Sequence, residues 1–355
     1  MSSPTHSSSE SFSAGPVVVP PAVDAPNSDP KRSDALQVAG DAISKDSASA
    51  NARNGEKLSE IAIPIIAVHV LALASLLPVF WSWTNLWVLL VGTLIFGQGI
   101  NLGYHRILSH KSLSVPKWLE RFYVLLALCS LEESPGKWVS THRRHHRHSD
   151  SDKDPHSPNQ NLAWSHMGWL LKSRNGKQEF CHDESFSSDV MKDPFYRALE
   201  KYPLLPGLIF LIHAALFFAA SWLACFLLGA ESPLWNALGI LAWGVFLRTV
   251  VVWHITWSVN SLGHWFGYQN YETGEGSRNN WLVAIVSSGE GWHNNHHHDS
   301  ASASNQHRWW EIDLTWYHIR LLEMVGLAKN VIRPRCFRQD SVGSKQEAEA
   351  EKNVD

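Results

Sequence analysis

The stretch LLPGLIFLIHAALFFAASWLACFLL, residues 204–228, runs for twenty-five positions without an Asp, Glu, Lys or Arg. A helix crossing a bilayer core needs about 20 predominantly apolar residues, within a range of roughly 17 to 25, so this run is read as a membrane span. Only Gly229–Pro233 separates it from a second run, 234–259 (LWNALGILAWGVFLRTVVVWHITWSV). Upstream, 61–80 (IAIPIIAVHVLALASLLPVF) and 86–102 (LWVLLVGTLIFGQGINL) repeat the arrangement, joined by 81–85. Neither short joint holds a Lys or Arg, whereas the segment between the second and third runs holds many. By the positive-inside rule both joints lie outside and the basic segment is cytoplasmic, so the chain is N-in and C-in. The expectation is an all-α integral membrane protein, with four transmembrane helices in two hairpins and a cytosolic helical cap. The run 118–131 is charged early, by Glu120 and Arg121, and is too short to span, which predicts an interfacial or buried helix.

Residues 1–57 are rich in Ser, Ala, Pro and Asp, lack periodicity, and have no apolar core of signal-peptide length. They are expected to form a disordered cytosolic tail, 58–338 the membrane domain, and 339–355 a second solvated tail. The cysteines Cys129, Cys181, Cys225 and Cys336 form no C-x-x-C pair, so neither disulfides nor a thiolate metal site is suggested. With a net charge of −3 and no Gly-rich phosphate loop, no nucleic-acid partner is expected.

Three histidine clusters punctuate the chain: HRILSH at 105–110, HRRHH at 142–146 and HNNHH at 293–297. The first follows span two, the second lies in the basic segment, and the third follows span four. Two crossings return the chain to the same side, so all three meet the cytoplasmic face. On a helix, His142 and His146 lie about 40° apart with His145 about 60° to the other side, and His293, His296 and His297 repeat that geometry. Adjacent histidines point about 100° apart, so one helix can serve two metal ions. His105 and His110 share no face of a regular helix, which predicts a helix end or bend between them. NSLGH sets Asn260 and His264 one turn apart. The span before them is about 39 Å long against a core of about 30 Å, enough to deliver both to the cytosol.

An all-histidine site suits Fe, Zn, Cu or Ni. Eight or more imidazoles exceed one tetrahedral zinc, and a membrane-edge position suits an apolar substrate, so two irons activating oxygen are the leading reading. His69, His213 and His254, inside spans, are read as packing or hydrogen-bonding residues. His148, His156, His166, His182, His298, His307 and His318 are read as surface or supporting residues, and Arg248 as snorkelling or paired. Two alternatives fit similar ligands: an acyl or alkane hydroxylase, and a non-enzymatic metal-binding membrane protein, although transporters usually place ligands near the midplane.

With SDKDPHSP, WSHMGWLL, SRNNWLV and RWWEIDLTWY, these motifs closely resemble the membrane-bound fatty acyl desaturases of the delta-9, stearoyl-CoA desaturase-like family, bacterial members especially, over residues 60–330. The resemblance implies a di-iron centre using O2 and two electrons to introduce a cis double bond, at delta-9, into a saturated acyl chain carried by CoA or a lipid. It implies metal ligands at His105, His110, His142, His145, His146, His264, His293, His296 and His297, with Asn260 reaching a metal through water. Trp138, Thr256 and Trp257 match residues that shape the bend of an acyl tunnel. Electrons would come from a separate protein such as ferredoxin or cytochrome b5, since no haem-binding segment is read in the chain. Glu132 stands where relatives usually carry glutamine, and HHDSAS replaces an apolar-proline continuation after the third cluster. Asp154 and Glu290 are read as carboxylates orienting ligand imidazoles. Breaking an unactivated C–H bond gains nothing from acid–base chemistry, so the cofactor carries the hard step. The protein positions one methylene pair, burying the chain at about 0.8 kcal/mol per CH2.

Overall fold

The computed structural model describes residues 57–173 and 183–337. The two expected tails, apart from Lys57, lie outside the described residues, as do Cys181 and His182. Beyond a two-residue antiparallel ladder of 57–58 with 172–173 and isolated bridges, the described residues are helix and loop.

The first apolar run is not one helix. It forms α1 (Ala62–Ala72), a tighter turn over Leu73–Leu76, and a break at Leu77, whose ψ of 129° is extended. Pro78 causes the break, because its ring excludes the α conformation from the residue before it. Among the described residues, three helices are long and apolar enough to cross a membrane: α2 (Trp83–Ser109), with α3 (Lys117–Leu128), α4 (Pro135–His148) and α5 (Pro194–Lys201) following it, then α6 (Leu205–Leu227) and α7 (Pro233–Trp265). The Ser82 hydroxyl starts α2 by accepting the Asn85 N–H at 3.1 Å. Helix α6 fully buries only Phe210 and exposes Leu211, Leu216, Leu223 and Leu227, the pattern of a helix surrounded by apolar solvent.

The second half of α2, Gly99–Ser109, is wound as a π-helix. His110 N–H donates to the His105 carbonyl at 3.0 Å, an i→i+5 bond that stacks the two residues one turn apart. The helix widens here and then ends at Ser109, so the end expected between His105 and His110 is present, preceded by a widening the sequence does not announce. Gly99 and Gly103, four apart, let α3 approach closely, since a side chain at either would collide with Ala127 or Tyr123. As expected of a short interfacial or buried helix, α3 buries Leu119, Val124 and Leu128 while exposing Trp118 and Phe122.

Arg248 does not snorkel. It is fully buried in α7, over the Phe96 ring, donating to Ser130 Oγ at 2.8 Å, Cys129 O at 2.9 Å and Gly244 O at 3.1 Å, with His213 Nε2 3.2 Å away. These bonds bolt the end of α3 to α7. Past α7 come α8 (Trp281–Val286), α9 (His293–His298) and α10 (Leu314–Met324), and α4 and α9 pack against the ends of α2 and α7.

Candidate metal centre

The widened end of α2, helix α4, the last turn of α7 and helix α9 bring nine imidazoles together in two groups. His105, His110, His142, His146 and His296 form one; His145, His264, His293 and His297 form the other, with the ligand atoms of each group within 4.8 Å of one another. Each of the two short helices serves both groups. On α4, His142 and His146 turn to the first and His145 to the second; on α9, His296 turns to the first and His293 and His297 to the second.

Carboxylates stand behind several rings. Asp154 Oδ2 lies 3.0 Å from His145 Nδ1, Glu290 Oε2 2.8 Å from His105 Nδ1, and Asp150 Oδ1 3.0 Å from His264 Nδ1. Asp154 and Glu290 are the two that the sequence points to; Asp150 is an addition, as is Glu275, 3.6 Å from both His264 and His297. Burial pushes the Glu290 carboxyl up, but the Arg106 guanidinium at 2.7 Å and the His105 ring bring it down to about 2. Arg106, inside HRILSH, is fully buried and also pairs with Asp313.

Asp154 fixes the tautomer of His145, and the nearby Glu290 and Asp150 oxygens favour the same tautomer at His105 and His264. A carboxylate at Nδ1 keeps the proton there and leaves Nε2 as a bare lone pair. Yet the Nε2 atoms face one another: His145 and His297 at 3.2 Å, His297 and His293 at 3.1 Å, His293 and His264 at 3.0 Å. If His297 donates to His145 and His293 to His264, the His293–His297 contact is left with two protons and no acceptor. Neutral imidazoles cannot satisfy all three contacts, whereas a cation at their centre accepts every lone pair. The first group repeats the crowding, with His296 Nε2 3.1 Å from His105 and 2.9 Å from His146. Burial first, and then the neighbouring imidazoles, hold His110, His142, His146, His293, His296 and His297 well below the ordinary histidine value, so their lone pairs are free at neutral pH. The residues fit a pair of imidazole-loving metal ions.

Other histidines fall elsewhere. His298 stacks on Tyr271 with centroids 3.8 Å apart, away from both groups. His69, His254 and His166 form a hydrogen-bonded file reaching Ser261. His156, read as surface or supporting, is buried against His145 and Asp154. The polar HHDSAS turn is accommodated because Asp299, 1 % exposed, accepts the Arg335 N–H at 2.8 Å.

Two small cavities, of about 80 and 50 Å³, adjoin the centre. Trp138, His142, Thr256 and Asn260 line both, and Trp257 lines the larger. Trp138 stacks on His142 at 5.0 Å and donates its indole N–H to Glu132 Oε2 at 3.3 Å.

Residues 65–328 match the fatty acid desaturase family. The chain is 42% identical over 267 residues to the sn-1 stearoyl-lipid 9-desaturase of Anabaena variabilis, covering 75% of this chain and 90% of that one. It is 42% identical over 266 residues to the sn-2 palmitoyl-lipid 9-desaturase of Nostoc sp. (strain 36), covering 74% and 86%. An acyl-CoA 5-desaturase of Anemone leveillei is 39% identical over 268 residues, covering 75% and 77%.

Proposed function

Since the chain belongs to the fatty acid desaturase family, and is thereby an oxidoreductase acting on acyl chains, we propose that it introduces a cis double bond at the delta-9 position of a saturated C16 or C18 chain. The nine imidazoles hold two irons: His105, His110, His142, His146 and His296 one, His145, His264, His293 and His297 the other, with Asn260 contributing through water. The observation that carries this reading is the convergence of histidine ring nitrogens in two groups beside cavities lined by Trp138 and Thr256.

Bound iron supplies the oxidising power to remove two hydrogen atoms from neighbouring methylenes, while oxygen, with two protons and two electrons from a separate donor such as ferredoxin or cytochrome b5, is reduced to water. The chain's own residues do the placing. Asp154, Asp150 and Glu290 hold ring nitrogens in one tautomer. Trp138 and Thr256, at the junction of the two cavities, and Trp257, in the wall of the larger, fix which methylene pair lies against the histidines. A segment with no polar handle is held in register only by such contacts, each CH2 contributing about 0.8 kcal/mol of burial.

The kinked 61–80 segment makes a fourth crossing, the chain is N-in and C-in, and the histidines form part of a cytosolic cap; the Lys/Arg imbalance between loops supports this orientation. Family membership removes the non-enzymatic reading. The test is product analysis by mass spectrometry after expression in a desaturase-deficient host. A cis alkene between C9 and C10 is expected; a hydroxylated chain overturns the assignment.

A further inference from the structure

We propose that the acyl substrate enters sideways from the bilayer, still esterified to a lipid, through a groove between α2, α3 and α10. The inference rests on the desaturase reading and names the carrier and the door.

The groove has a volume of about 400 Å³. Its walls are apolar: Leu94 and Ile95 of α2, Phe122 and Leu126 of α3, and Leu314 of α10. Leu94 and Ile95 are about half exposed and belong to a helix long enough to span a membrane, so the mouth is continuous with a lipid-facing surface. Part of its lining is polar and already organised. Tyr123 O–H donates to His318 Nε2 at 3.0 Å, His318 Nδ1–H to Gln98 Oε1 at 3.4 Å, and the Gln98 amide to Thr315 Oγ1 at 3.3 Å. Apolar walls beside a patch of hydroxyl, imidazole and amide suit the boundary between an acyl chain and its ester group.

The groove leads inward. Ser288 lines both it and a narrow waist of about 20 Å³ between α2 and α7, where Thr93, Gly97, Val252 and Ile255 meet. The waist in turn shares Ile100, Asn101, Ile255, Thr256 and Ser287 with the 50 Å³ cavity beside His105, His142 and His293. Groove, waist and histidine-side cavity thus form one series from the lipid face to the metal centre. A thioester on a soluble carrier needs an opening to water. A glycerolipid keeps its head group at the interface, so its chain reaches the histidines only through an opening at acyl depth, which this groove provides.

Gly97 makes the waist testable, because a Cβ added there meets no other atom within 4 Å. Iron-loaded enzyme in vesicles of phosphatidylglycerol carrying a deuterated stearoyl chain, supplied with reductant, is expected to form the double bond in the intact lipid without added acyl-CoA. Gly97→Phe should cut that rate at least tenfold with the iron content retained. Leu314→Trp, at the exposed rim, narrows the mouth and serves if Gly97→Phe does not fold. A phospholipid bearing a mid-chain diazirine should label peptides containing Phe122 or Leu314, a readout that needs no turnover. Desaturation of stearoyl-CoA alone, an undiminished rate in both variants, or labelling confined to α6 would overturn the route. A double bond from neither carrier would instead overturn the desaturase reading, leaving the photolabel to decide the groove.

Discussion

Glu290 Oε2 lies 2.8 Å from His105 Nδ1 while its other oxygen takes the Arg106 guanidinium at 2.7 Å, so one buried carboxylate orients a ring and neutralises its sequence neighbour. Glu290→Gln should therefore weaken metal retention about 10–100-fold, the usual effect of losing a partner behind a ligand imidazole. Competition with a chelator, followed by iron analysis, measures it. Retention equal to wild type would remove Glu290 from this role. Glu290→Ala should also destabilise the fold, by less than the roughly 3–5 kcal/mol of leaving a buried charge wholly unpaired, because Arg106 keeps Asp313.

His145 and His298 should separate cleanly. His145 belongs to the second imidazole group and His298 stacks on Tyr271 outside both. His145→Ala is expected to lose iron and activity, and His298→Ala to keep both, by iron analysis and product yield. Full activity in His145→Ala would exclude it from the ligand set.

Trp257→Ala should blur the double-bond position. The ring is buried in the cavity wall, stacked on Trp253 at 5.7 Å, and its removal leaves the chain free to slide. Fragmentation of derivatised products should show more than one isomer; a single unchanged isomer would discount the wall.

Glu132 gives a pH signature. Burial pushes its carboxyl up to about 8, against the lowering effect of the Trp138 N–H, so it is neutral at pH 7. The folded state binds this proton more tightly than the unfolded chain, so stability falls as pH rises from the ordinary carboxyl value of 4.5 toward about 8. The loss is up to about 5 kcal/mol. In Glu132→Gln this component should vanish, leaving the variant more stable than wild type at pH 9. Parallel thermal unfolding curves at pH 5 and pH 9 for both proteins would refute it.

Orientation is open to labelling. A cysteine at Ala230, between α6 and α7, should react with an impermeant maleimide in intact cells, and one at Ser151, after α4, only after permeabilisation. Reaction of Ala230→Cys from the cytosolic side alone would invert the topology.

Much of this centre was legible because helical periodicity is local arithmetic. The alternation of His145 and His296 against their neighbours between two groups follows from 100° per residue. The π-winding was not legible: nothing in GINLGYHRILS marks an extra residue per turn, and the close approach of α3 at Gly99 and Gly103 is a tertiary fact. Asp150 and Glu275 carry no spacing signal either: their approach to His264 is made by loops whose course the sequence does not dictate. Pro78 stands in plain view in the first run, and it breaks the continuous span that apolar length alone predicts.

The widened turn between His105 and His110 bears on how this segment can vary. Exchanging Ile107 or Leu108 for another apolar residue leaves the i→i+5 bond in place. Deleting one residue there would let the turn relax to ordinary winding, rotating everything on one side of the cut by about 100° relative to the other. The segment should tolerate altered spelling and refuse altered length, so indels will be purged where substitutions drift.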